Sequence, residues 1–171
     1  MLPIVFSLIQ LGFVLFLFFL TIAFVTGAPF VPSTKPTAQA MVHLAKLKPG
    51  MRIYDLGSGD GRLLFLAAKE GVTAIGFEIN PFLVVFSWIK KMASDQRDHI
   101  GIHWQNFWNT KLSDADVVFI YLLPWKMDAL SAKLKKELKP GTLVVSNSFI
   151  FPKWKILRED QQNHVYAFSI T

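Results

Sequence analysis

No Asp, Glu, Lys or Arg occurs before Lys35, so all 18 basic and 12 acidic side chains of the 171-residue chain fall in positions 35–171. Such a chain divides into an uncharged leader and one ordinary domain. About 137 residues bury a single hydrophobic core, which argues against a second catalytic domain or a multi-pass channel. The leader also explains a composition that is greasy for a soluble domain of this size, with 52% hydrophobic and 18% charged residues and a mean hydropathy of +0.38. The absence of cysteine excludes a disulfide framework, thiol chemistry and Cys-ligated zinc.

From Ile4 to Thr26 the residues are almost all Leu, Ile, Val, Phe or Ala, interrupted only by Ser7, Gln10, Gly12 and Thr21. At 1.5 Å per residue this makes roughly 34 Å of helix, enough to cross a hydrocarbon core of about 30 Å. A secretory signal would carry a basic n-region and a shorter apolar core. The small-residue site Thr26-Gly27-Ala28 is followed by Pro29, which is expected to resist cleavage. Residues 1–28 are therefore expected to be a retained transmembrane anchor, touching lipid through residues 4–26, and residues 29–35 a linker. Lys35, Lys46, Lys48 and Arg52 follow the span and none precedes it. That bias predicts a domain on the cytoplasmic side of a bacterial or archaeal plasma membrane, or at the mitochondrial inner membrane in a eukaryote. Gly27 to Thr34, stiffened by Pro29 and Pro32, reaches about 26 Å when extended, so the domain is expected to work near the bilayer. The net charge of +6 suits an anionic membrane surface or an acidic partner, while Lys133, Lys135, Lys136 and Lys139 are read as the solvated face of one helix.

After Pro36, apolar residues recur at helical spacing up to the Pro49-Gly50 turn. The pattern then alternates. Strands are predicted at Met51–Leu56, Val72–Glu78, Gly101–Gln105, Asp116–Leu122 and Thr142–Ser148. Helices are predicted at Gly61–Glu70, from Pro81 to about Met92, and at Pro124–Leu138. Lys155–Glu159 and His164–Ile170 read as a closing hairpin. The fold class is therefore α/β. It is a Rossmann-like, doubly wound, mostly parallel seven-stranded sheet over residues 36–171, with a C-terminal antiparallel hairpin and one N-terminal transmembrane helix before it. Ligands of such sheets bind at the carboxyl ends of the strands.

The most informative stretch is Tyr54-Asp55-Leu56-Gly57-Ser58-Gly59-Asp60-Gly61-Arg62, at the end of the first strand. Three glycines at alternate positions let the backbone turn tightly and let a ligand approach the main chain. The helix that follows offers its amino end to a carboxylate. Glu78 ends the second strand, where a carboxylate accepts hydrogen bonds from ribose hydroxyls. A dinucleotide loop would place a third glycine where Arg62 stands, and no G-x-x-x-x-G-K-[ST] phosphate loop occurs. Asp55 and Asp60 would repel a pyrophosphate and suit an ammonium. S-adenosylmethionine, with its sulfonium, ammonium and carboxylate and no phosphate, fits these residues.

On that loop the sequence resembles the class I S-adenosylmethionine-dependent methyltransferases. It is similar, more narrowly, to the small membrane-anchored protein-lysine methyltransferases related to the mitochondrial enzyme that modifies the ATP synthase c-ring protein. The resemblance runs from about Pro29 to the C-terminus. It rests on Pro29-Phe30-Val31-Pro32, Asp55 to Arg62, Gly76-Phe77-Glu78-Ile79-Asn80-Pro81, Asn106-Phe107-Trp108, Leu123-Pro124 and Pro152-Lys153-Trp154. It implies that Asp55, Gly57, Gly59 and Asp60, in a loop completed by Ser58 and Gly61, surround the methionine part of the cofactor. It further implies Glu78 at the ribose and Asn106 with Phe107 at the adenine. Asn106 stands where the family often has Asp, and an amide can still pair with an exocyclic amine. Tyr121-Leu122-Leu123-Pro124 replaces the Asn/Asp-Pro-Pro-aromatic signature of amide and adenine methyltransferases, so no nucleic-acid substrate is expected.

Methyl transfer from a sulfonium is an in-line displacement that needs alignment and dryness, not a metal or a nucleophilic side chain. A lysine acceptor must first lose its proton, and at a reference pKa of about 10.4 only on the order of one amine in a few thousand is neutral at pH 7. An apolar wall lowers that pKa, and Tyr121, Leu123 and Pro124 are the candidates for it. Trp104, Trp108 and Trp125 could stack on an alkylated ammonium, a contact worth about 0.5–2 kcal/mol, with plain packing as their competing role. Arg62 is read as a structural ion-pair partner. His43, His99, His103 and His164 lack ligand spacing, so no metal is expected. The leading expectation is methylation of an accessible lysine on a membrane protein. The alternatives are a lipid amine or quinone acceptor, and a tethered cofactor-binding scaffold without turnover.

Overall fold

The structure is a computed structural model that describes residues 2–26 and 31–170. Pro29 and Phe30, part of the expected linker and of the resemblance, lie outside the described residues. Helix α1 (Leu2–Thr26) is 25 residues long and carries no acidic residue in its first turn and no basic residue in its last. Its Leu2–Ile22 stretch has a mean hydropathy of 2.5 and none of it is buried, so it is long and apolar enough to cross a membrane.

The domain begins with α2 (Lys35–Ala45). Thr34 caps it, its hydroxyl accepting from Thr37 N–H at 3.3 Å, and Pro36 occupies the first turn where its missing N–H costs nothing. There follow β1 (Arg52–Leu56), α3 (Arg62–Ala68), β2 (Thr73–Glu78), α4 (Pro81–Met92), β3 (Ile100–Trp104), β4 (Val117–Ile120), α5 (Met127–Glu137), β5 (Leu143–Asn147), β6 (Ile156–Asp160) and β7 (Val165–Ser169). The seven strands form one sheet in the order β3-β2-β1-β4-β5-β7-β6. The β1–β5 strands are parallel, and β7 pairs antiparallel with β5 and β6. The α/β expectation with its closing hairpin is what the chain adopts.

Alternation along the strands sorts the core onto two faces. Ile53, Ala74, Val117, Phe119 and Val145 pack with α2 and α3 on one side. Tyr54, Leu56, Val118, Ile120 and Val144 pack with Met127, Leu130 and Leu134 of α5 on the other. Gly76 sits where β2 meets the loop and α3. A Cβ there would lie 2.5 Å from Ser58 Oγ and 2.6 Å from Leu64 Cδ1, so only glycine lets these layers close.

Two expectations shift. The helix predicted as Pro124–Leu138 opens as a 3-10 turn (Pro124–Lys126), in which Lys126 N–H donates to Leu123 C=O at 3.0 Å, and only then becomes α5. Lys133 is not on a solvated face. Its side chain is 10% exposed, and its ammonium donates to Thr110 C=O and to the Glu137 carboxylate, each at 2.7 Å. Helical periodicity placed Lys133 but could not show that the loop after β3 folds over it.

Candidate active site

The strand order reverses between β1 and β4, because β2 and β3 lie on one side of β1 and β4 and β5 on the other. A crevice opens at the carboxyl ends of strands at such a point. Here it is lined by Val31, Pro32, Ser33, Asp55, Gly57 to Asp60, Arg62, Leu63, Glu78 and Tyr121, with an empty volume of about 480 Å³. A second lobe of about 240 Å³ shares Gly57 and Glu78 with it and continues along Phe77, Ile79, Gln105, Asn106 and Phe107. A larger groove lies away from this chemistry, between α2 and the β6–β7 hairpin. The crevice is the better candidate because it gathers the buried carboxyls and the glycine loop.

Gly57, Gly59 and Gly61 all have positive φ, at 87°, 55° and 76°, which spares the loop the strain any other side chain would meet there. Gly61 caps α3, so that helix starts one residue later than the pattern suggested. Glu78 locks the loop. Its Oε2 accepts from Gly59 N–H, and its Oε1 from Ile79 and Asn80 N–H, each at 2.8 Å. Burial pushes its pKa up and these three N–H donors pull against that rise. Its role in holding two segments together was invisible in the sequence, since the loop partner is a main-chain group 19 residues away.

Asp55 is 4% exposed, and no described group donates a hydrogen bond to its carboxyl. Burial pushes it up to about 8, with the Glu78 and Asp60 charges adding to the effect. A buried acid without a partner, opening onto a crevice, suits a cationic group such as the ammonium of an amino acid. Asp60 is different. Burial by itself would raise it, but Arg62, donating through Nε and Nη2 at 3.0 Å each, and the nearby Lys90 charge bring it below its ordinary value. Asp60 lines the crevice while committed to this pair, and Arg62 takes the structural role expected of it.

The adenine candidates sit in the second lobe. Asn106 caps a 3-10 turn through Oδ1, which accepts from Trp108 N–H at 3.0 Å, leaving its amide N–H groups and a second lone pair. Phe107 is buried against Trp108, their ring centroids 5.0 Å apart. Of the three expected wall residues, only Tyr121 lines the crevice, its ring stacked on Phe149. Leu123 and Pro124 do not, because β4 ends at Ile120 and the chain turns at Pro124 into the 3-10 turn. The strap Val31–Ser33 takes the place expected for them. Asn147 donates to Ser33 Oγ at 3.0 Å, and Arg62 Nη1 donates to Ser33 C=O. Sequence reasoning missed the strap because its ties come from residues far along the chain.

Among solved structures, the domain is similar to one described as an RNA methyltransferase from Salinibacter ruber in complex with S-adenosyl-L-homocysteine. The TM-score is 0.78 and the identity 34%, over 82% of this chain and 94% of that one. A SAM-dependent methyltransferase from Thiobacillus denitrificans, also with S-adenosyl-L-homocysteine, gives a TM-score of 0.61 at 19% identity, over 77% and 54%. The fold is that of the class I S-adenosylmethionine-dependent methyltransferases. Residues 55–158 match the ANTKMT methyltransferase domain, and this chain belongs to that family. A protein-lysine N-methyltransferase of Saccharolobus islandicus is 35% identical over 156 residues, 86% of this chain and 97% of that protein. A Mus musculus lysine N-methyltransferase named for the ATP synthase c-ring protein is 34% identical over 126 residues, 74% of this chain and 51% of that protein. The chain spans about half the length of the vertebrate relatives it matches.

Proposed function

We propose that this chain moves a methyl group from S-adenosylmethionine to the side-chain amine of a lysine in a membrane-associated protein, and that α1 anchors it in that membrane. The observation that carries the reading is the buried, unpartnered Asp55 carboxyl at the head of the glycine loop, in a chain whose relative of nearly equal length is named a protein-lysine N-methyltransferase. The cofactor, when bound, supplies an electrophilic methyl on a cationic sulfur. Asp55 would hold its ammonium, Glu78 its ribose, and Asn106 with Phe107 its adenine. The loop glycines let the main chain come close. Tyr121, Val31 and Pro32 form the wall that excludes water, and a dry wall disfavours the lysine ammonium and raises the neutral fraction of the amine. Relatives named for the ATP synthase c-ring protein and for adenine nucleotide translocase support a membrane protein as acceptor. The cation bias after α1 favours a domain on the cytoplasmic side, or on the inner face of the mitochondrial inner membrane.

Incubation of the full chain with methyl-labelled cofactor and native membranes tests this, followed by acid hydrolysis of the protein fraction. The expected product is labelled methyllysine. Label recovered in lipid or quinone overturns it, and so does label lost on treatment with ribonuclease, the outcome for an RNA acceptor like that in the name of the Salinibacter protein. Cofactor binding with no transfer to any fraction points to the scaffold alternative.

A further inference from the structure

Helix α4 faces the wrong way for a soluble protein. It contributes no side chain to either hydrophobic cluster, and its one buried residue is Ser87. Phe82, Val85, Phe86 and Ile89 recur at the spacing of a single stripe, with Trp88 and Met92 beside it, and all six are between 50% and 71% exposed. The inward side is polar. Ser87 Oγ donates to Gly59 C=O at 3.0 Å, and Lys90 Nζ donates to Asp60 C=O at 2.8 Å and lies 3.6 Å from its carboxylate. Polar ties thus hold α4 on the glycine loop while a continuous apolar stripe points outward, the mark of an interaction surface.

The neighbourhood indicates what covers the stripe. Arg62 binds both Asp60 and Ser33, so α4 and the strap leading back to α1 meet on one ion pair. From Thr26 to Val31 the chain can span at most about 18 Å. A bilayer crossed by α1 therefore lies within reach of this side of the domain. Lys90 and Lys91 close the helix, and Lys35 shares a shallow groove with Arg62 and Lys90. Trp104, 64% exposed, stands at the amino end of α4 with its indole N–H donating to Ile79 C=O at 2.9 Å. Cations and tryptophans around an apolar stripe are the pattern of a helix lying in the headgroup region.

We propose that α4 lies in the interfacial layer of the membrane that α1 crosses, with its stripe among the acyl chains, so that the bilayer surface holds the glycine loop through Ser87 and Lys90. The inference rests on the anchoring reading above. The chain has no native cysteine, so single-cysteine variants can carry a nitroxide without further change. Val85→Cys, Phe86→Cys and Ile89→Cys test the stripe, Phe13→Cys tests the anchor, and Gln162→Cys on the hairpin marks water. Each is made in the full chain and reconstituted in nanodiscs of phosphatidylcholine and phosphatidylglycerol. Power saturation then compares collisions with oxygen and with a nickel chelate. Labels at 85, 86 and 89 are expected to show an oxygen-to-nickel ratio several-fold above that at 162. Ratios equal to that at 162, with the label at 13 in hydrocarbon, overturn the α4 proposal and leave the anchor standing. A label at 13 that also reports water overturns both. Stripe labels shielded from both reagents show that protein, a second copy or another partner, covers the helix, and this too overturns the proposal.

Discussion

At Asp55 the balance between burial and charge becomes measurable. Its carboxyl titrates near 8 in the folded protein against 3.8 in a free chain, so between those values the folded state holds a proton that the unfolded state has released. Stability falls with rising pH wherever the folded state binds more protons. The melting temperature of the ligand-free protein should therefore decline from about pH 4 to about pH 8, with Glu78, shifted in the same direction, adding the same sign. Asp55→Asn should flatten that slope, and an unchanged slope would count against the assignment. Asp60 and Asp114, both lowered, act with the opposite sign and only in acid. A cationic ligand on Asp55 should bind more tightly as pH rises through the same window, which calorimetric titration of S-adenosylmethionine would read. Glu78→Gln offers one carbonyl oxygen where the carboxylate serves three N–H donors. Leaving buried donors unmet costs about 1–3 kcal/mol. Thermal unfolding should record that loss, and binding of S-adenosylhomocysteine should weaken by about tenfold or more.

At the scale of elements, two close approaches decide the shape of the site. Gly76→Ala forces a Cβ within 2.6 Å of Ser58 Cβ as well as of its hydroxyl, so rotating the side chain does not relieve the clash. Overpacking of this kind costs about 1–3 kcal/mol, and the displaced loop should lose cofactor affinity together with melting temperature. Ser33→Ala leaves the Asn147 amide without its buried partner. The strap should then loosen, with a stability loss of about 1–2 kcal/mol by denaturant titration and a larger relative loss of methyl transfer than of cofactor binding. The limits of α2, α4 and the hairpin were legible because a proline, a cap or a turn marks each in the local sequence. The 3-10 turn after Leu123 and the enclosure of Lys133 were not, since neither depends on nearby residues.

For the whole molecule, α1, the strap and the crevice form one line of covalent and hydrogen-bonded connection from the leader to the glycine loop. Lysines placed at Leu11 and Leu15 should each cost about 2.5–3.5 kcal/mol at the centre of a bilayer. The chain should then leave the membrane pellet in carbonate extraction, while affinity for S-adenosylhomocysteine stays as in the unmodified chain. Retention in the pellet would speak against α1 as the anchor.

The sequence by itself determined the partition into leader and domain, the order of strands and helices, and the loop from Asp55 to Gly61 with Glu78 after it. Each of these is written in neighbouring residues through charge, periodicity or backbone freedom. Only the tertiary structure decided that Glu78 ties the loop to β2, that Ser33 is pinned by Asn147 and Arg62, that Tyr121 reaches the crevice while Leu123 and Pro124 do not, and that α4 turns its apolar stripe outward. Those outcomes depend on which distant groups arrive to satisfy a donor, pair a charge or cover a face, and the linear order of residues carries no measure of that.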